Sequence, residues 1–156
     1  MTPSFAARSD HDQLEHGLDF APKFDADGLI PCITTHADTG EVLMFAFMNE
    51  LALTQTIETG YVHYWSRSRQ KLWKKGESSG MSQKVTQMLT DCDQDCIVVK
   101  VTLGTAATGD SASCHVGYRN CFYRQIPIGS LPEQGPIQLA RVQEKVYDPD
   151  AVYGQQ

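Results

Sequence analysis

The sequence predicts a mainly β protein of α+β character, a small twisted sheet or open barrel carrying one main helix. Two observations predict this. Short runs rich in β-branched and aromatic residues recur between turn residues. Only one stretch has a clear helical start, apolar face and stop. The chain of 156 residues is long enough to bury a core as one domain. We divide it into a flexible lead-in over residues 1–22, a domain over 23–128 and a tail over 129–156.

Residues 1–22 show no periodicity. Residues 24–35 and 42–48 predict two strands joined through the turn residues Asp38-Thr39-Gly40-Glu41. The second is so apolar that both its faces are expected to be buried. Cys32 lies in the first and is expected to be a small core residue. Asn49 caps the predicted helix over 50–59. Leu51, Leu53 and Ile57 give that helix one apolar face, and Gly60 ends it. Residues 61–69 predict a strand with Tyr61, His63, Trp65, Arg67 and Arg69 on one face. Further strands are expected at 83–90, 97–101 and 121–126. Residues 104–113 predict a loop, and a short helix is possible near 137–146 before a mobile end.

Charge narrows the chemistry. The net charge is −6, which excludes a polycation seeking nucleic acid. No apolar run approaches the roughly 20 residues needed to cross a bilayer. The polar N-terminus lacks the apolar middle of a signal peptide, so a cytoplasmic protein with no membrane partner is expected. Residues 61–75 nevertheless carry five positive charges and no negative one. A solvated face is the plain explanation. An anion site is the sharper one, with arginine forks for phosphate and Trp65 or Trp73 for stacking on a base.

Residues 91–121 hold four of the five cysteines. In a reducing compartment such cysteines suit metal binding better than disulfides. Cys114 and Cys121 are seven positions apart, and Gly117 between them lets the backbone curl so that both sulfurs can face one zinc ion. A third thiolate could be Cys92 or Cys96. Asp91, Asp93 and Asp95 would repel one another without a cation, and carboxylates suit magnesium. An EF-hand is a poor fit, because Cys96 and Thr102 stand where its glycine and glutamate belong. On an extended segment the three aspartates would share one face and Cys92 the other.

Asp91-Cys92-Asp93-Gln94-Asp95, the run Cys114-His115-Val116-Gly117-Tyr118-Arg119-Asn120-Cys121-Phe122-Tyr123, His63-Tyr64-Trp65-Ser66-Arg67-Ser68-Arg69 and Leu72-Trp73-Lys74-Lys75-Gly76-Glu77-Ser78-Ser79-Gly80 together resemble the phosphoribosyl-AMP cyclohydrolase family. Thr39-Gly40-Glu41-Val42-Leu43-Met44 and Met48-Asn49-Glu50 are similar too, so the likeness runs in order over residues 24–123. The loop between Val101 and Cys114 looks longer than the family's, and the tail is too short for the pyrophosphohydrolase domain of some relatives.

The resemblance implies the third step of histidine biosynthesis, in which water opens the adenine ring of phosphoribosyl-AMP between N1 and C6. It implies an intertwined homodimer with one zinc per subunit, held by Cys92 of one chain and Cys114 and Cys121 of the other. Magnesium falls to Asp91, Asp93 and Asp95. His115 is the first candidate for proton transfer and His63 the second. Trp65, Arg67, Arg69, Lys71, Trp73, Lys75, Glu77 and Ser79 are the candidate substrate-binding residues. Two other classes are a non-catalytic zinc-stabilised module binding nucleotides or RNA, and a thiol redox protein using Cys92 and Cys96. The first would need a fourth protein ligand and no triple aspartate. The second lacks the usual C-x-x-C spacing before a helix.

Overall fold

The computed structural model describes residues 5–154. Four strands form one mixed sheet in the order β2-β1-β6-β5: β1 (Ile30–His36), β2 (Val42–Met48), β5 (Gln83–Thr90) and β6 (Ile97–Leu103). β1 pairs antiparallel with β2 and parallel with β6, which pairs antiparallel with β5. Between β2 and β5 come α2 (Glu50–Thr59) and the hairpin of β3 (His63–Ser66) and β4 (Lys71–Lys74). The small helix α1 (His11–His16) precedes β1. After β6 come β7 (Arg124–Gln125), β8 (Ala140–Arg141) and α3 (Pro149–Tyr153).

The predicted helix forms over Glu50–Thr59. Asn49 accepts from the Ala52 N–H at its start, and Gly60 ends it in the left-handed conformation. Its buried side is Ala52, Leu53, Thr54 and Thr56, whereas Leu51 and Ile57 stand exposed. The sheet packs Ile30, Cys32, Leu43, Met48, Val99 and Val101 against Leu53, Val62 and Tyr64. Cys32 is fully buried as expected, and that burial pushes its thiol up to about 12.

Several expectations are corrected. β2 is an edge strand whose two faces are each covered only in part: Leu43 and Met44 are buried on opposite faces, while Val42 and Phe45 remain exposed. The strand at 61–69 stops at Ser66. A turn with Gln70 at φ 50° then carries Arg67 and Arg69 out of the sheet. The strand expected at 121–126 shrinks to Arg124–Gln125, and no helix forms over 137–146.

The lead-in from residue 5 onward is docked rather than loose. Phe5, Phe20 and Phe24 pack on the core, and Gln94 receives the Ala21 N–H at 2.8 Å while its amide donates to the Leu14 carbonyl at 3.1 Å. Scattered aromatic and polar anchors leave no periodicity for a sequence reading to find. The tail is likewise seated, through β8 and the buried Tyr147.

A buried polar chain crosses the core. The Thr34 hydroxyl meets the Tyr64 hydroxyl at 2.6 Å, Tyr64 donates to Gln83 Oε1 at 2.6 Å, and Gln83 Nε2 donates to Ser113 Oγ at 3.3 Å. Tyr64→Phe would leave Gln83 Oε1 without a partner in a dry site. The expected loss is about 1–3 kcal/mol of stability, read as a lower Tm. An unchanged Tm would show that the chain of hydroxyls contributes nothing.

Candidate active site

Cys114 and Cys121 meet. Residues 114–121 form an irregular loop after β6, and the Cys121 N–H donates to the Leu43 carbonyl of β2 at 2.8 Å. That bond holds the end of the loop against the sheet. Gly117, at φ 113°, makes the bend for which glycine was expected. The Cys121 thiol has the buried Cys114 thiol as a neighbour. Burial, then the neighbouring Cys114, push Cys121 up to about 11, while Lys75 pulls the other way. A thiol so raised, with a second thiol beside it, suits a soft cation, whose charge would remove the penalty. The pair therefore fits zinc.

Lys75 is buried beside this pair. Its ammonium donates to the Ser113 carbonyl at 2.7 Å, and desolvation lowers its pKa, partly opposed by Cys121 and Cys114. His115 follows Cys114 and is exposed. His63 is buried, with Nδ1 2.8 Å from the Tyr61 carbonyl.

A brace that the sequence did not reveal holds the far side of the loop. Glu41, at the start of β2, accepts from Arg119 Nε at 2.8 and 2.9 Å and from Asn120 Nδ2. Burial raises the Glu41 pKa, but these bonds outweigh it and leave the carboxyl below its ordinary value. Asn120 Oδ1 in turn accepts from the Phe122 N–H at 2.7 Å, so Cys121 sits between two fixed residues. Tyr118 and Tyr123 stack at 3.8 Å across the loop.

Asp91, Asp93 and Asp95 converge, with one oxygen of each within 4.8 Å of the others. The means is not an extended segment. Residues 91–96 form the turn between β5 and β6, with Gln94 at φ 57°, and Asp91 Oδ1 accepts from the Asp95 and Cys96 N–H groups at 2.9 and 3.0 Å. Asp95 is pushed up to about 6 by its hydrogen bond with Asp91, then by partial burial and by Asp93. In Asp91 burial acts upward, and the hydrogen bonds from Asp95 and Cys96 outweigh it. Three crowded carboxylates of this kind fit a hard divalent cation such as magnesium. Among the described residues this is the single cluster of three or more metal-capable side chains.

Cys92 lies elsewhere, exposed at the edge of a groove of about 640 Å³ lined by Leu14, Leu18, Ile57, Leu89 and Ile97. Asp91 borders the same groove, whereas Asp93 and Asp95 do not line it. Cys96 is half-buried in the turn, and its thiol is raised by burial and then by Asp91 and Asp95.

On the β3–β4 hairpin, Arg69 and Lys71 are exposed, and Arg67 lies over the Phe47 ring at 4.3 Å. Trp65 is half-buried. Trp73 packs against Tyr64 at 5.2 Å between ring centroids. Glu77 is exposed in the following turn, where Ser79 Oγ is taken up by the Met81 N–H.

Comparison with known proteins agrees with this arrangement. The family model described as phosphoribosyl-AMP cyclohydrolase matches residues 44–123, which include both cysteine segments, the aspartate turn and the basic hairpin. A protein of that name from Methanococcoides burtonii is 55% identical over 131 residues, covering 84% of this chain and 94% of the relative. One from a Caulobacter species is 52% identical over 130 residues, covering 83% and 94%. One from Rhodopseudomonas palustris is 49% identical over 154 residues, covering 98% and 99%. Likeness of this extent means that the chain belongs to the phosphoribosyl-AMP cyclohydrolase family.

Proposed function

We propose that the protein opens the adenine ring of phosphoribosyl-AMP by hydrolysis of the N1–C6 bond, the third step of histidine biosynthesis. We place the reaction at a zinc site that two copies of the chain complete together. Membership of the family supports the pathway step. The observation that carries the metal reading is that the Cys114 and Cys121 thiols are neighbours, with Cys92 exposed on a different part of the surface. One chain thus offers two thiols at one place, and Cys92 of a partner subunit is the third.

Exposed apolar residues support a homodimer. Leu18, Ile57 and Leu89 are 102%, 42% and 43% exposed around the groove that Cys92 borders. No helix among the described residues is long and apolar enough to cross a membrane, so that surface is not accounted for by a helical span.

Bound to these thiols, zinc would acidify water to a pKa near about 7 and so supply hydroxide at neutral pH. The residues of the chain do the rest. His115, exposed and next to Cys114, accepts the proton released as water adds to C6 and returns it to N1 as the C–N bond breaks. N1 carries a ribosyl group, so the ring is cationic and already prone to attack. Arg69 and Lys71, free on the hairpin, bind the phosphates with the cation held by Asp91, Asp93 and Asp95. Trp65 and Trp73 lie on opposite faces of the β3–β4 ladder, so only one of the two can stack on the substrate. Lys75 and Ser79 are buried and act on the loops rather than on a phosphate.

The test is the ultraviolet change on ring opening of phosphoribosyl-AMP, followed with the metals loaded and after chelation. Turnover that needs about one zinc per chain and added magnesium is expected. Undiminished turnover in zinc-free protein would sink the zinc reading, and no turnover in the loaded protein would sink the substrate reading.

A further inference from the structure

Residues 140–153 take no part in the chemistry above and lie beyond Tyr123, where the family match ends. Yet they cross back over the cysteine loop and satisfy its backbone. The Val142 N–H donates to the Tyr123 carbonyl at 2.9 Å. Gln143 Nε2 donates to Asn120 Oδ1 at 3.1 Å, beside Cys121. The Val146 and Tyr147 N–H groups both donate to the Gly117 carbonyl, at 2.8 and 3.3 Å. The Tyr147 hydroxyl donates to the carbonyl of Cys114 itself at 2.6 Å.

We propose that this C-terminal segment is a strap that holds Cys114 and Cys121 in metal-ready positions, with Tyr147 as the positioning residue for Cys114 and Gln143, through Asn120, for Cys121. The inference rests on the zinc reading of the two thiols.

The loop needs such a device. Residues 114–121 form turns and bends with no helix or strand of their own. A loop left to sample conformations would separate two sulfurs that are seven positions apart. The strap is itself anchored: Tyr147 is 6% exposed and packs with Met81, Ala106 and Ala112, and Val152 and Tyr153 of the last turns lean on that cluster. The fit at the crossing is close. A Cβ at position 117 would stand 2.8 Å from the Tyr147 carbonyl oxygen, so the strap seats only over glycine. Gly117 therefore does more than curl the loop.

Partners that orient metal ligands commonly set affinity by 10- to 100-fold, because the ion then binds a shape already made. Tyr147→Phe keeps the packing and removes one hydroxyl. Gln143→Ala removes one amide at a half-exposed site. The measurements are zinc affinity by competition with a chromophoric chelator and the Tm of the metal-free protein, on wild type and both variants, with Cys121→Ser as the control for site identity. Tyr147→Phe is expected to weaken zinc about tenfold and Gln143→Ala severalfold, with metal-free Tm near wild type. Saturating zinc should restore kcat in both. Wild-type affinity in both variants would overturn the strap and leave the zinc site standing. A metal-free Tm that falls in step with affinity would assign the segment to folding alone and overturn it too. Wild-type protein that binds zinc no better than Cys121→Ser would remove the zinc reading and the strap with it.

Discussion

Chains carrying Cys92→Ala and chains carrying Cys121→Ala will each be inactive alone, and the two co-expressed in equal amounts will recover about one quarter of wild-type turnover. Each single change removes one thiol from every site of a symmetric dimer. Loss of kcat/KM by a factor on the order of 10³ or more, about 4 kcal/mol of transition-state stabilisation, is expected for each. In a mixed dimer the two defects fall on different sites. One site pairs Cys92 of the second variant with the intact Cys114 and Cys121 of the first and is whole, while the other lacks two thiols. Random pairing makes half the dimers mixed, each with half its sites working. The expectation follows from where the thiols sit: Cys114 and Cys121 are neighbours, and Cys92 is exposed beside the groove. Recovery near zero, with mixed dimers demonstrated to form, would mean that the two cysteines do not serve one site from two chains.

His115→Ala will lower kcat by about 10²–10³-fold and change KM by no more than a few-fold. Ring opening moves a proton from the attacking water to the departing N1, and a positioned base that does both acts in the transition state only. His115 is exposed and directly follows a proposed zinc ligand, so it can face a bound substrate without displacing packed residues. His63 is a poorer choice, because it is buried in β3 with Nδ1 occupied by the Tyr61 carbonyl. A rise in KM with kcat preserved would make His115 a substrate anchor instead.

The local parts of this site were legible in the sequence. Cys114, Gly117 and Cys121 could be linked because a glycine bend between two cysteines is a short-range device, and the structure closes it as the spacing suggests. The aspartates were legible as a cluster but not as a shape. They meet in a turn set by Gln94 in the left-handed region, a conformation that a glutamine does not announce. The residues that steady the loop were not legible at all. Glu41 is 78 positions from Arg119, and Tyr147 is 33 from Cys114. Single hydrogen bonds over such separations leave no period or motif.

The same division runs through the fold. By itself the sequence determined the helix at Glu50–Thr59, the hairpin of β1 and β2, the strands β5 and β6 and the buried Cys32, because caps, turns and β-branched runs act within a few residues. Only the tertiary structure decided that β1 lies parallel to β6, that β2 is an edge with Phe45 exposed, and that the segments around Phe5–Phe24 and Ala140–Tyr153 are seated on the domain. Those outcomes depend on which surfaces meet once the chain has folded back on itself. A tail held by a backbone carbonyl here and a tyrosine hydroxyl there is recognised by its partners, and the partners are far away in sequence.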